Sequence, residues 1–385
     1  MKILFPYLAR VRAANWSRYQ QLLISRARAG DEVTVLQPPA RRSAETNFCE
    51  IDASFPEGFR VEEVSLWPRF WNTRFPFDKI VKKGAYSLAA NRRALALARG
   101  ARPDVLLLYN LTQESLLSYP APVVFDVADD LPAMLRVEGR VAGKALEGVA
   151  RRALARMIRG AALVTTPSRI LLPGLGPSAV FVPNGVDLEE ILAARRTRAP
   201  EAVERGPIGF LGSFEYFIDF DLVLGLAGRL PERRFLLIGG GRRFQEVRER
   251  VDRRRLGNVE LTGPLAHPRA LGMLAGCALS LCPFTRDEVG HGASPLKLFE
   301  SLALGVPVLA TRTREIEAER APNVIFADSP EEGSAAIAAY EERPRETRRR
   351  ELEDGADEIL RTRTWDRIGD AWADRIRSLS PRPAR

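Results

Sequence analysis

The chain has 385 residues, 58 of them Lys or Arg and 49 Asp or Glu, giving a formal net charge of +9. At about 100–200 residues per domain this length predicts two domains, and an apolar content of 45% excludes a disordered chain. Three cysteines (Cys49, Cys277, Cys282) cannot build a disulfide framework, and two histidines (His267, His291) outside any metal-ligand spacing argue against a zinc site.

In chain order, MKILFPYLAR opens as a short apolar run followed by arginines, without signal-peptide architecture. No stretch reaches the ~20 apolar residues a spanning helix needs. The expectation is a cytoplasmic protein, or one resting on the inner face of a membrane. Apolar runs at 3–6, 33–36, 105–109, 123–127, 163–165 and 180–182 predict strands. Helical patterns lie between them, the first with Trp16, Tyr19, Leu23 and Ala27 on one face. Continuous rather than alternating apolar runs indicate strands buried on both sides, hence a parallel sheet covered by helices. Residues 194–207 lack periodicity and carry Pro and Gly, so they predict the linker between a first domain (1–193) and a second (208–362). The second half repeats the pattern, with strands at 208–211, 235–238, 259–261, 279–282, 306–310 and 324–326. A last helix, over 363–385, carries Trp365, Ile368, Trp372, Ile376 and Leu379 on one face.

One segment breaks the pattern of mixed-sign helix surface. Trp67, Arg69, Phe70, Trp71, Arg74, Phe75, Phe77, Lys79, Lys82 and Lys83 cluster aromatics with cations. Such a stretch suits an anionic membrane surface, or is a loop whose rings plug into the core. It also suits nucleic acid, which is not the expected partner, because the basic runs elsewhere, such as 242–255, are interleaved with Glu as ordinary solvated helix surface is.

In open α/β sheets ligands bind beyond the carboxyl ends of strands. Two such junctions in the second half are glycine-rich: Gly212-Ser213 after 208–211, and Gly239-Gly240 after 235–238. Each lets a phosphate approach the backbone, or is simply a tight turn. The stretch 291–311 predicts a helix with Ser294 as N-cap and Pro295 as its first residue. Lys297 lies in the first turn, where a cation opposes the helix dipole unless an anion is near, and Glu300 shares its face. Together they make an anion site with a hydroxyl acceptor one turn on, or a surface ion pair.

PLKLFESLALGVPVLAT resembles the donor-site helix of the GT-B glycosyltransferases, in particular glycosyltransferase family 4 (glycosyl transferases group 1). VPNGVD at 182–187, GFLGS at 209–213, FLLIGGG at 235–241 and VELTGPLAHPRALGMLAGCALSLCPF at 259–284 follow in the same order. The first domain matches more loosely, through KILF, NWSRYQQLL and PVVFDVADD. The resemblance implies two Rossmann-like domains facing across a cleft, with the C-terminal helix crossing back onto the first. It implies transfer of a sugar, with retention, from a UDP- or GDP-sugar to a saccharide or lipid-linked acceptor hydroxyl, without a metal or further cofactor. Glu300 would bind the donor ribose, while Lys297 and the N–H groups around Ser294, Pro295 and Leu296 would meet the diphosphate or sugar. Gly212 and Ser213 would face the phosphates, and Pro264 and Leu265 would flank the base.

Two departures stand out. Gly292 occupies the place of the family's first glutamate, for which Asp287, Glu288 or His291 are substitutes, and the first domain has no histidine. Asp126, Asp129 and Asp130 follow a strand end and are the candidates for acceptor or sugar contact, Asp129 and Asp130 being alternatively helix-start residues before Pro132. A sugar-nucleotide 2-epimerase of the same fold and a non-catalytic binding protein are the rival readings.

Overall fold

The computed structural model describes residues 1–12, 17–40, 55–73, 78–100, 102–138, 143–197 and 205–379. Its first half runs β1 (Lys2–Pro6), α1 (Arg18–Arg28), β2 (Glu32–Gln37), β3 (Phe59–Glu63), α2 (Pro68–Asn72), α3 (Asp78–Gly100), β4 (Val105–Leu108), β5 (Val123–Asp126), α4 (Leu131–Glu138), α5 (Gly143–Gly160), β6 (Leu163–Thr166), β7 (Ala179–Phe181) and α6 (Leu188–Arg196). Among the described residues the seven strands form one parallel sheet in the order β3-β2-β1-β4-β5-β6-β7. Strands such as Val-Leu-Leu-Leu (β4) are buried at every position, because helices cover both faces.

The second half runs β8 (Ile208–Leu211), α7 (Phe220–Arg229), β9 (Phe235–Ile238), α8 (Phe244–Arg253), β10 (Val259–Gly263), α9 (His267–Ala275), β11 (Leu279–Cys282), α10 (Glu288–Gly292), α11 (Leu296–Ala303), β12 (Val308–Ala310), α12 (Arg314–Glu319), β13 (Val324–Phe326), α13 (Pro330–Glu341), α14 (Arg345–Thr362) and α15 (Trp365–Arg377). Its strands form a second parallel sheet, β10-β9-β8-β11-β12-β13. Each half has its own apolar core, but α15 belongs to the first: Trp365, Ile368, Trp372 and Ile376 pack with Leu22 and Leu23 of α1. The crossing is fixed where Val186 N–H donates to Arg363 O and Trp365 N–H donates back to Val186 O.

Several expectations change. β3 is absent from the predicted strands because Phe-Arg-Val-Glu-Glu is an edge strand, only partly buried and polar in composition. The second-half strand expected to start at 306 starts at Val308, since Pro307 has no N–H to give the ladder. In the basic aromatic segment, Trp71 is buried, its Nε1–H donating to Pro39 O at 2.8 Å. Lys82 is also buried, its Nζ donating to Thr73 O at 2.5 Å. These two belong to the core of the first domain rather than to a membrane face, whereas Trp67 is 81% exposed and Lys83 is exposed. Trp16, Cys49, Arg74, Phe75, Phe77, the Lys79 side chain and residues 198–204 of the expected linker lie outside the described residues. Among the described residues no helix is long and apolar enough to cross a membrane.

Candidate active site at the domain cleft

Strand order reverses at β1/β4 in the first sheet and at β8/β11 in the second, and a parallel sheet opens a crevice at such a switch point. A cavity of about 300 Å³ lies at the second switch point, walled by Gly212, Phe284 and the ends of β9 and β10, and closed from the other side by Arg18, Asp129 and Asn184 of the first half.

The second-domain wall is rich in glycine and proline. Gly212, Ser213, Gly239, Gly240, Pro264, Leu265, Ser294, Pro295, Leu296, Lys297 and Glu300 all line the cavity. Gly212 has φ +142°, and a Cβ there would stand 2.7 Å from Lys297 Nζ. A Cβ on Gly239 would collide with Gly212 O at 2.1 Å. Only glycine allows these turns to pack on each other and on the lysine. Pro295 is extended (φ −81°, ψ 123°) and is itself the N-cap, so α11 begins at Leu296, one residue later than the sequence predicts. The N–H groups of Leu296 and Lys297 are therefore without intrahelical partners, while Leu298 N–H donates to Pro295 O at 3.2 Å. The Lys297 ammonium lies 4.2 Å from the Phe210 ring centroid and 5.3 Å from that of Phe284, with no ion pair or hydrogen-bond acceptor among the described residues. Burial lowers its pKa to about 8, against the opposing pull of Cys282 and Glu300.

Glu300 is buried, and here the structure adds a residue that sequence reading passed over. His267, first residue of α9, places Nε2 2.9 Å from Glu300 Oε1 and Nδ1 2.6 Å from Glu190 Oε2 of α6. Burial alone would lower the imidazole pKa. The Glu300 charge and the two hydrogen bonds outweigh it and raise the value to about 10. Gln21 Nε2 of α1 also reaches Glu300 Oε1, at 3.4 Å, and Gln21 Oε1 accepts from Trp365 Nε1 at 2.5 Å. The one signal in the sequence was a histidine two residues after the Pro264-Leu265 turn.

On the first-domain wall the three aspartates separate. Asp126 is buried and neutralised: Arg18 Nε lies 3.1 Å from its Oδ2, and Thr165 Oγ1 donates to its Oδ1 at 2.6 Å. Asp130 caps α4, accepting from Ala133 N at 3.0 Å, which is the helix-start alternative. Neither lines the cavity. Asp129 does, and its side chain has no hydrogen-bond partner among the described residues. Though the residue is open to the cleft, its carboxyl is raised to about 6, chiefly by withdrawal from bulk water; Arg18 opposes this, while Asp126 and Asp130 add to it.

His291 is not in the cavity either. Its Nδ1 accepts from Arg314 N at 3.2 Å, at the start of α12. The other substitutes for the missing glutamate are likewise engaged elsewhere. Asp287 caps α10 through Gly290 N at 2.9 Å, and Glu288 pairs with Arg136 at 2.6 Å. The walls meet where Asn184 Nδ2 donates to Ser294 O at 2.7 Å. Arg18 Nη1 in turn donates to Asn184 Oδ1 at 2.7 Å. Among the described residues no group of three His, Cys, Asp or Glu side chains is arranged to hold a metal ion.

The site thus offers a half-buried cation beside the open end of a helix, a carboxylate one turn on, and a second carboxylate lining the same cavity from the first domain. Residues 206–342 match the family described as glycosyl transferases group 1. TuaH of Bacillus subtilis (strain 168), a glycosyltransferase provisionally assigned to teichuronic acid biosynthesis, is 26% identical over 205 residues, 49% of this chain. The chain spans about half the length (50%) of that curated relative. Sucrose-phosphate synthase from Thermosynechococcus elongatus superposes with a TM-score of 0.72 at 15% identity, over 98% of each chain. Anabaena HepE, solved with UDP and glucose, gives 0.66 at 15% identity over 98% of this chain and 100% of that one. The catalytic domain of Arabidopsis thaliana starch synthase IV, bound to ADP and acarbose, gives 0.67 at 11% over 98% and 99%. At such identities the likeness establishes the fold, which is GT-B: two parallel-sheet domains with the last helix crossing back.

Proposed function

We propose that this chain, whose second domain resembles the glycosyl transferases of group 1, moves a sugar from a nucleoside-diphosphate-sugar to an acceptor hydroxyl in glycan synthesis. The observation that carries the reading is Lys297: a half-buried ammonium with no ion pair among the described residues, set against Gly212 at the open end of α11. Burying an isolated cation is costly, and the cost is relieved when a diphosphate completes the site. Glu300 accepts from the ribose hydroxyls, and Pro264 and Leu265 flank the base. Asp129, across the cleft, takes the proton as the acceptor oxygen bonds the sugar carbon. The bond from that carbon to the diphosphate breaks, its electron pair staying on the phosphate oxygen, where Lys297 and the helix N–H groups stabilise the charge. The cation at the phosphates supports transfer without a metal ion, and activity that survives EDTA is the corresponding result. Retention, the proposed outcome, requires the acceptor oxygen to enter on the face from which the diphosphate leaves, and the anomeric configuration of the product tests it.

UDP with the Anabaena protein and ADP with the Arabidopsis enzyme make these bases the first to try. A thermal-shift screen over UDP, ADP and GDP tests the donor site, since a ligand that binds only the folded state raises its stability. Incubating the best nucleotide's sugars with and without saccharide acceptors then tests the reaction. Turnover of donor alone to an epimer would replace transfer by epimerisation. Trp67 and Lys83 keep a lipid-linked acceptor at an anionic membrane within the proposal. Co-sedimentation with anionic vesicles tests this, and equal recovery in the supernatant at low and high salt removes it.

A further inference from the structure

The reaction proposed above uses Lys297, Glu300 and Asp129 and leaves His267 without a part. Yet His267 is 9% exposed and has a carboxylate oxygen against each ring nitrogen. Ionised carboxylates only accept, so both contacts need an N–H and the ring is the imidazolium. The three partners come from different elements: Glu190 from α6, His267 from α9 and Glu300 from α11. Glu300 Oε1 is engaged twice on the protein side, by His267 and by Gln21, while Oε2 has no donor among the described residues. A carboxylate held by one oxygen presents the other in a fixed direction, and Glu300 lines the cavity.

We propose that His267 is a positioning residue for nucleotide recognition: pinned by Glu190, it holds Glu300 by Oε1 so that Oε2 meets the ribose hydroxyls. The inference rests on the donor-site reading above. Without the His267 contact, Glu300 turns away, and the loss falls on the ribose hydroxyls while the diphosphate contacts at Lys297 persist.

The test is calorimetric titration of UDP and ADP, each beside its 2′,3′-dideoxy counterpart, into the parent and into His267→Asn, His267→Gln and Glu190→Gln, with thermal unfolding to confirm the fold. In the parent the ribose form binds at least about tenfold more tightly than the dideoxy form, as a hydrogen bond to a charged group implies. Asparagine reaches Glu190 but not Glu300, so in His267→Asn the gap closes towards unity while the dideoxy form binds as it does to the parent. Glutamine sets an amide nitrogen near the place of Nε2 and restores part of the gap. Glu190→Gln, which loosens the anchor, lies between. A merely structural role would lower both affinities equally. If the parent discriminates and His267→Asn keeps the full gap, the positioning role is overturned and the donor site stands. Should His267→Asn not fold, an undiminished gap in Glu190→Gln overturns it alone. If the parent does not discriminate, or no nucleotide binds, the donor-site reading itself falls, and this inference with it.

Discussion

The two walls of the cleft are built from the same strand–helix units but treat charge in opposite ways. On the first-domain wall Arg18 and Asp126 neutralise each other in the interior, Asp130 is spent on a helix cap, and Asp129 alone is left over. On the second-domain wall a half-buried lysine has no ion pair among the described residues, and lies against the Phe210 and Phe284 rings and the backbone of Gly212. Paired charges build a rigid scaffold, because each satisfies the other before any ligand arrives. An unpaired one marks a site that is finished only by its ligand. The difference therefore sorts structural ionisable groups from functional ones, which residue type alone does not do.

The largest effect that would break this comparison is expected at Asp126. Its alanine variant leaves the Arg18 guanidinium buried beside Val182 O and Asn184, and a broken buried pair costs ~3–5 kcal/mol. Urea denaturation measures it, and a loss under 1 kcal/mol would mean that the pair is not a scaffold. Asp130→Asn, by contrast, keeps the cap and should leave stability and turnover near the parent's.

Next in size is Asp129→Asn, expected to lower turnover by ~100-fold or more while nucleotide affinity stays within about twofold. Because the carboxyl is raised to about 6 and acts ionised, parent activity should rise with pH through that value. An unchanged limb in the asparagine variant would assign the titration elsewhere. Lys297→Ala should weaken nucleoside diphosphate binding by roughly ten- to a hundredfold. Its lowered pKa of about 8 predicts that parent affinity falls by up to about tenfold between pH 7 and 9 as the ammonium is lost. Titration calorimetry at the two values decides, and equal affinities would count against the lysine as the phosphate contact.

A last effect sharpens the comparison, since His267 is a paired group on the unpaired wall. Its folded pKa of about 10 lies above the unfolded ~6.5. The stabilisation it supplies is therefore whole below about pH 6.5 and drains away as pH climbs through 10. Melting temperature should fall between pH 7 and 10 in the parent and less steeply in His267→Gln. Parallel curves would show that the imidazolium contributes nothing to folding.

Much of this protein is local and was legible without coordinates. Continuous apolar runs at 105–108 or 235–238 specify buried parallel strands because no other environment takes four apolar residues on both faces. The glycines at 212 and 239, and a lysine in the first turn of a helix, pointed to the proposed phosphate junction for equally local reasons. Other features depended on which chain segments meet. Trp71 and Lys82 fitted either a membrane-facing stretch or a loop plugged into the core, and only packing decided that both are buried. Asp126, Asp129 and Asp130 are interchangeable in sequence, four residues from first to last. Only the arrival of Arg18, 108 residues away, and the start of α4 decide that two are structural and one is free to act. His267 carries no signal of its own, because its meaning lies in Glu190 and Glu300, 77 and 33 residues distant. Backbone conformation and burial follow from neighbours along the chain, whereas the ionisation and partnership of a buried side chain follow from neighbours in space, and those the tertiary structure alone supplies.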